Sequence, residues 1–378
     1  MAIMTESTSN ILINASNLHV GGGIQVAVSF IDSLSRMGNI EKEIHVVVSS
    51  EVDFNLQQLQ LNPNVFLSYR VIDVYGLSTL WSDFGKSLKA YDLIFTVFGP
   101  LYLLGYKGIQ ITGFAQAWII YPENEAALTL SLLERVKTRL KFFIHSLFFS
   151  RADKLIVELE HVRKRLISMG ITTSNKVEVV HNCLSSLYLD INKWQPLNNK
   201  ILTKSFSIGF VGRDYLHKNT IIFPQIKKNL LDKYSIDVDF YVTLSDEEWQ
   251  LKSEDFRRVI NNVGVLSVAQ CPSFYKEMDA VIFPSLLECF SATPLEAMAM
   301  GKPLFASNRD FVRDVCGNYA LYFDPMNPDS AADIIAWYIR NRAGGDQSFL
   351  SDARQYAESF SSAKQRAVDY VAIIQKMI

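Results

Sequence analysis

The chain has 378 residues, more than one hydrophobic core usually organises, so two domains are expected. Hydrophobic residues make up 49% and charged residues 20%, the balance of a globular protein, and a formal net charge of −2 gives no global pull toward nucleic acid, which is not expected as a partner. The four cysteines, Cys183, Cys271, Cys289 and Cys316, lie far apart, form no metal-ligand pair and are expected as free thiols in a reducing compartment.

The first ten residues have no basic segment followed by an apolar core, so no signal peptide is expected, and no uninterrupted apolar run reaches the length of a membrane span. Residues 11–13 read as a short buried strand, and Asn14 to Gly23 as the loop after it. Apolar residues from Ile24 to Leu34 then follow helical spacing in a largely buried helix ending near Gly38, and Ile44–Val48 is the second strand. The glycine-rich turn of this strand–helix–strand opening departs from the G-x-G-x-x-G of dinucleotide binders. Its glycines let backbone come near a ligand and supply N–H groups; the plain alternative is a flexible turn before a helix. Residues 65–74 are expected as strand, 79–88 as an amphipathic helix, and 92–97 and 108–114 as strands.

Residues 128–149 are expected as one long helix, with Arg135, Lys137, Arg139 and Lys141 set among leucines and phenylalanines. A basic, Phe-rich helix can lie in an anionic membrane interface, which makes 128–149 a candidate peripheral membrane contact; a buried helix with snorkelling basic ends is the alternative. Lys154–Val157 reads as strand, Glu160–Ser168 as helix, 176–180 as strand, and 192–201, with Pro196, Asn198 and Asn199, as a linker.

The second half opens with a strand at 206–211 and the loop Gly212-Arg213-Asp214-Tyr215-Leu216-His217-Lys218-Asn219, with a helix from about Thr220. Two cations at the carboxyl end of a strand can neutralise a diphosphate, Arg with paired hydrogen bonds; a basic solvated turn is the alternative. Residues 237–243 are expected as strand, 262–266 as an edge, and 272–278 as helix.

The most informative stretch is 281–307, VIFPSLLECFSATPLEAMAMGKPLFAS. Ala280–Phe283 has the length of a buried parallel strand, and a loop follows. Thr293 then suits a helix N-cap, Pro294 the first helical position and Glu296 the third; Gly301 stops the helix, and 303–307 is the next strand. Open α/β sheets bind ligands at such carboxyl ends. The helix start attracts phosphate, and Phe290, Ser291, Ala292 and Thr293 are mostly small, so backbone can approach a pyrophosphate. Glu288 and Glu296 flank this run with seven residues between them. Carboxylates accept from sugar hydroxyls, so one acid can hold the transferred sugar and the other a ribose. The plain alternative is that Thr293 and Glu296 merely form a capping box; Glu288 has no such structural role. A strand at 320–323 and helices at 330–342, 346–358 and 362–376 complete the chain.

Pro284, Ser285, Glu288, Phe290, Pro294, Glu296, Ala297, Met298, Ala299, Gly301 and Pro303 together resemble the Glu-x7-Glu signature of the retaining glycosyltransferases related to glycogen synthase and bacterial mannosyl- and glucosyltransferases. Gly212-Arg213 followed by Lys218-Asn219 resembles the second motif of that family. The resemblance implies an α/β, GT-B fold: two Rossmann-like domains facing across a cleft, here 1–190 for the acceptor and 200–358 for the nucleotide sugar, with helix 362–378 crossing back to the first. It implies that Glu288 contacts donor-sugar hydroxyls and Glu296 the ribose, and that Arg213 and Lys218 clamp the diphosphate; Glu288, Arg213 and Lys218 are the catalytic set. Phe290, Ser291, Ala292 and Thr293 would line the donor, and backbone near Thr243 and Val263 would hold the base. The glycine loop of the family faces the donor diphosphate and the acceptor, which points to Gly22 and Gly23 on the donor side and Asn14 and His19 on the acceptor side. Many members have a His near Gln116; Gln can hydrogen-bond a hydroxyl but cannot act as a general base, and Gln116 and Trp118 are further acceptor-side candidates. Cys289 and Ser291 stand where members often have Gly.

The activity so implied is retaining transfer of a hexose-type sugar from a nucleoside diphosphate sugar to a saccharide or lipid-linked saccharide acceptor. Its setting would be cell-surface polysaccharide such as O-antigen, lipopolysaccharide or capsule, and its expected location the cytoplasm, with the cytoplasmic face of the inner membrane as the alternative. The acceptor hydroxyl would lose its proton to the departing phosphate while domain closure excludes water. No Asp-x-Asp motif stands where a metal-dependent transferase would carry one, so neither metal nor cofactor is expected. Two rivals keep the fold or the ligand. A GT-B nucleotide-sugar epimerase needs acid/base residues beside the sugar C2, and no obvious set is found. A non-catalytic sugar-binding protein would normally be exported.

Overall fold

The computed structural model describes residues 10–37, 44–198, 201, 205–341 and 346–378. The expectations for the first nine residues, Gly38, Asn199 and Arg342 fall outside these. The chain divides into two units: 1–120, 136–182 and 361–378 form the first, and 121–135 and 183–360 the second.

The first unit is built on a parallel sheet. Its strands are β1 Ile11–Ala15, β2 Ile44–Val48, β3 Ser68–Val71, β4 Leu93–Thr96, β5 Ile109–Gly113, β6 Lys154–Val157 and β7 Val177–Val179. Among the described residues they lie in the order β3-β2-β1-β4-β5-β6-β7. The central strands are buried on both faces, which is why they read as unbroken apolar runs. Helices 22–34 and 363–377 pack on one face, where Tyr370 meets Phe30 and Phe95 edge to face at 5.1 and 5.2 Å. The helix Ala363–Met377 therefore completes the core of the unit in which the chain began. Arg366, fully buried on that helix, donates to Ser29 Oγ and Asn182 Oδ1, and Asn182 Nδ2 donates to Glu158 Oε1 at 2.6 Å.

The second unit repeats the architecture with β8 Phe206–Phe210, β9 Val238–Val242, β10 Asn261–Asn262, β11 Ala280–Phe283, β12 Leu304–Ser307 and β13 Leu321–Phe323. Their order is β10-β9-β8-β11-β12-β13, again parallel. Both sheets reverse direction once, between β1 and β4 and between β8 and β11. Loops leaving the carboxyl ends at such a reversal diverge and open a crevice. The glycine loop follows β1; the 212–219 and 284–292 loops follow β8 and β11.

Several elements differ from the expectation. Residues 79–88 are not one helix but the pieces Gly76–Trp81, Asp83–Ser87 and Leu88–Ala90. Ser82 is extended and its side chain caps Gly85 N–H, and a Cβ on Gly85 would lie 1.9 Å from Thr79 O, so the chain crosses itself too closely for a continuous helix. The 65–74 strand shrinks to β3 because Asn62 and Pro63 set a turn that runs to Val65. The 128–149 helix begins at Leu132. Ser131 and Glu134 form a reciprocal cap there, and a separate turn, Glu125–Leu128, precedes it, capped by Asn124. That turn belongs to the second unit, where Glu125 pairs with Arg309 at 2.5 Å and Tyr121 meets Phe311 edge-on. Helices Asp246–Gln250, Glu254–Val259 and Asp310–Cys316 were not anticipated.

Candidate active site

Two loops meet at the reversal of the second sheet. After β8, Leu216–Lys218 makes one tight turn and Asn219 takes a left-handed conformation, φ 55, which Asn tolerates better than most residues. Its buried side chain donates to Pro325 O at 2.8 Å and to Pro284 O at 3.4 Å, tying this loop to the one after β11. Leu286 N–H donates to His217 O at 2.7 Å, a second tie. Ser307 Oγ donates to Ser285 O at 2.7 Å and holds the β11 loop from below.

These ties bring Lys218 Nζ to 2.6 Å from Glu288 Oε1, with both side chains about one-eighth exposed. His217 Nε2 lies 3.7 Å from the same oxygen. Burial lowers the imidazole's pKa, helped by Lys218 and opposed by Glu288, so the ring stays neutral near neutral pH. Lys218 also sits over the Phe283 ring at 5.4 Å.

Glu296 is held differently. Tyr275 OH donates to its Oε2 at 2.9 Å, and Tyr188 gives a further hydrogen bond. Burial raises its pKa, a rise opposed by the two tyrosines and by the charge of Lys218. The capping-box alternative therefore fails. The helix is Thr293–Ala299, its N-cap is Ala292 rather than Thr293, no side chain caps it, and the Glu296 carboxylate faces Tyr275. Pro294 is the second helical residue, and Gly301, φ 64, ends the helix as expected. At seven residues this helix offers only a modest dipole.

Arg213 pairs with a different acid. Its guanidinium is 56% exposed and its Nε lies 2.7 Å from Glu248 Oε1. Glu248 is fixed by a capping box with Ser245 and by the Asp214 N–H. The structure thus sets Lys218 against Glu288 and within electrostatic reach of Glu296, while Arg213 is paired with Glu248. Thr243 is buried, and its hydroxyl accepts from Gly212 N–H at 3.1 Å, an internal brace. Val263 is half-buried, with its N–H on Val242 O. Phe290, Ser291 and Ala292 are half-buried, and Thr293 is buried.

In the first unit, Gly21, φ 79, is the residue whose conformation calls for glycine, and it precedes the helix Gly22–Leu34. Nothing lies within 4 Å of where a Gly22 Cβ would stand; a Gly23 Cβ would touch Leu18 and Phe98. Asn14 was expected on the acceptor side. Its side chain is instead buried, with Nδ2 donating to Thr96 Oγ1 and Oδ1 accepting from the Ser16 hydroxyl. His19 is braced by Val74 O at 2.9 Å, stacked on Tyr75 at 4.2 Å and faced by Asp73 at 3.5 Å. Trp118 stacks on Phe142, and Gln116 stands half-buried at the start of the same turn.

Residues 197–360 match the family model described as Glycosyl transferases group 1. The chain is 26% identical over 197 residues to the O-antigen chain mannosyltransferase RfbU of Salmonella typhimurium, covering 50% of this chain and 54% of that protein. It spans about half the length of the curated relatives it matches. The sucrose-phosphate synthase of Thermosynechococcus elongatus superposes with a TM-score of 0.69 at 15% identity, covering 97% of this chain and 98% of the other. Anabaena Alr3699/HepE, solved with UDP and glucose, superposes with a TM-score of 0.67 at 14% identity, over 97% and 99%. Residues 197–360 are thus similar to the group 1 glycosyl transferases, in a chain whose two parallel-sheet units have the GT-B fold.

Proposed function

We propose that this chain is a retaining glycosyltransferase that moves a hexose-type sugar from a nucleoside diphosphate sugar to a saccharide or lipid-linked saccharide acceptor. The observation that carries the reading is the Lys218–Glu288 pair, 2.6 Å apart at the sheet reversal, with Glu296 close enough to feel the same cation. RfbU, an O-antigen chain mannosyltransferase, supports cell-surface polysaccharide as the setting, and the UDP and glucose bound by HepE support a nucleotide-sugar donor.

In this mechanism Lys218 neutralises charge on the diphosphate as the glycosidic bond breaks. Glu288 accepts hydrogen bonds from hydroxyls of the transferred sugar, and Glu296 from the ribose. Gly22 and Gly23 offer backbone N–H groups to the phosphates. Arg213 adds the second charge once it exchanges Glu248 for the diphosphate. The acceptor hydroxyl gives its proton to the departing phosphate as the new bond forms on the face the leaving group vacates, so configuration is kept.

The test is transfer by purified protein, after a thermal-shift panel of nucleoside diphosphates has found the one that stabilises it. Lys218→Ala and Glu288→Gln should each lower kcat/KM by about 100-fold or more, and, because each leaves a largely buried charge without its partner, should also lower the melting temperature in the absence of nucleotide. Full activity in either variant, or an inverted anomeric product, sinks the reading. Conversion of donor alone to an isomer would make the protein an epimerase.

A further inference from the structure

The helix Leu132–Phe149 turns one face inward and leaves the other uncovered. Inward, Phe148 meets Tyr102 at 4.9 Å, Phe149 meets Phe114 at 4.7 Å and Phe142 stacks on Trp118 at 6.0 Å. Outward, Leu133, Val136, Leu140, Phe143 and Leu147 recur in alternating steps of three and four, which sets them in one line along the helix. Each is 48–64% exposed. Such a contiguous apolar stripe marks a surface that meets a partner.

The charges beside the stripe select the partner. Lys137 and Arg139 border it on opposite sides and Lys141 widens the first border, all three exposed. Glu134 is the only acid on the helix, and its Oε2 is engaged by the Ser131 N–H and hydroxyl at 2.9 and 2.6 Å. A second copy packed stripe on stripe would bring cations against cations with no acid to answer them. An anionic lipid surface answers both features, since the stripe enters the acyl boundary while the flanking cations stay level with the phosphates.

We propose that this face docks the protein flat on an anionic lipid bilayer. Docking is interfacial, since no helix among the described residues is long and apolar enough to cross a membrane. The proposal is independent of the transfer chemistry and stands or falls without it.

The experiment is co-sedimentation of the full chain with vesicles of phosphatidylcholine alone or with added phosphatidylglycerol, alongside light scattering of the vesicle-free protein. Anionic vesicles should bind at least about tenfold more tightly than neutral ones. The double variants Leu140→Glu/Phe143→Glu and Lys137→Glu/Arg139→Glu should each weaken that binding at least about tenfold, with melting temperature unchanged because all four side chains face water. Equal binding to both vesicles, or binding insensitive to both variants, overturns the proposal. A dimer in free solution that Phe143→Glu dissociates would assign the stripe to a second copy and overturn it as well.

Discussion

Glu158 is a carboxyl in the core of the first unit, at the end of β6, and burial pushes its pKa up to about 7 against the pull of Arg366 and the Asn182 hydrogen bond. A folded value above the unfolded one, near 4.5, means that the folded chain holds an extra proton between those pH values. Stability from this group is therefore full below about 4.5 and is lost as pH rises through 7, by an amount of order 3 kcal/mol at 1.36 kcal/mol per pH unit. Urea midpoints measured from pH 4.5 to 8 should fall with pH in the parent and fall less in Glu158→Gln; identical slopes would reject the assignment. Candidate residues were legible where the motif is local. Glu288, Glu296, Lys218 and Arg213 stand in short motifs, and Lys218 lies against Glu288 while its charge reaches Glu296. Tyr275 and Glu248 were not legible, because each reaches its partner from a separate helix, 21 residues from Glu296 and 35 from Arg213. Asn14, placed on the acceptor side by the family resemblance, is buried here and bonds to the neighbouring strand.

Among elements, the opening of the Gly22–Leu34 helix makes a sharp test of what the glycines do. A methyl group on Gly22 meets nothing within 4 Å and φ there is not positive, so the fold has no need of glycine at this position. Gly22→Ala should leave the melting temperature equal or slightly higher, since Ala is favoured in helices. If the backbone there approaches the donor, the same change should lower kcat/KM about tenfold, read from the donor KM; unchanged kinetics would remove Gly22 from the donor site. Elements were legible to the extent that burial was two-sided. Ile44–Val48, Lys154–Val157 and Ala280–Phe283 have the bounds their apolar runs imply. Among the described residues β3 and β10 end their sheets and are partly exposed, so they lack that signal. The onset of helix 132–149 was written in Ser131 and Glu134, but the run of apolar residues upstream masked the box.

At the scale of the whole molecule, the first unit depends on residues that follow the second. Tyr370, Ile373 and Ile374 are buried in its core, and Arg366 bridges Ser29 and Asn182. Burying a large apolar side chain contributes about 1.5–3 kcal/mol, so losing several of them approaches the total stability of a typical domain, about 5–15 kcal/mol. Deleting residues 361–378 should therefore abolish hydrogen-exchange protection in β1 and β4 while β8 and β11 stay protected. Retained protection in β1 would show that the helix is dispensable.

The order of synthesis gains a meaning from this. Ser29 must wait for a partner made 337 residues later. At about 5–20 residues per second, the whole second unit emerges from the ribosome while Phe30 and Phe95 are still without Tyr370, an interval of roughly ten to forty seconds. The half of the protein that is translated first thus waits for the segment translated last, and until that segment arrives the apolar flank around Phe30 and Phe95 stays uncovered by it.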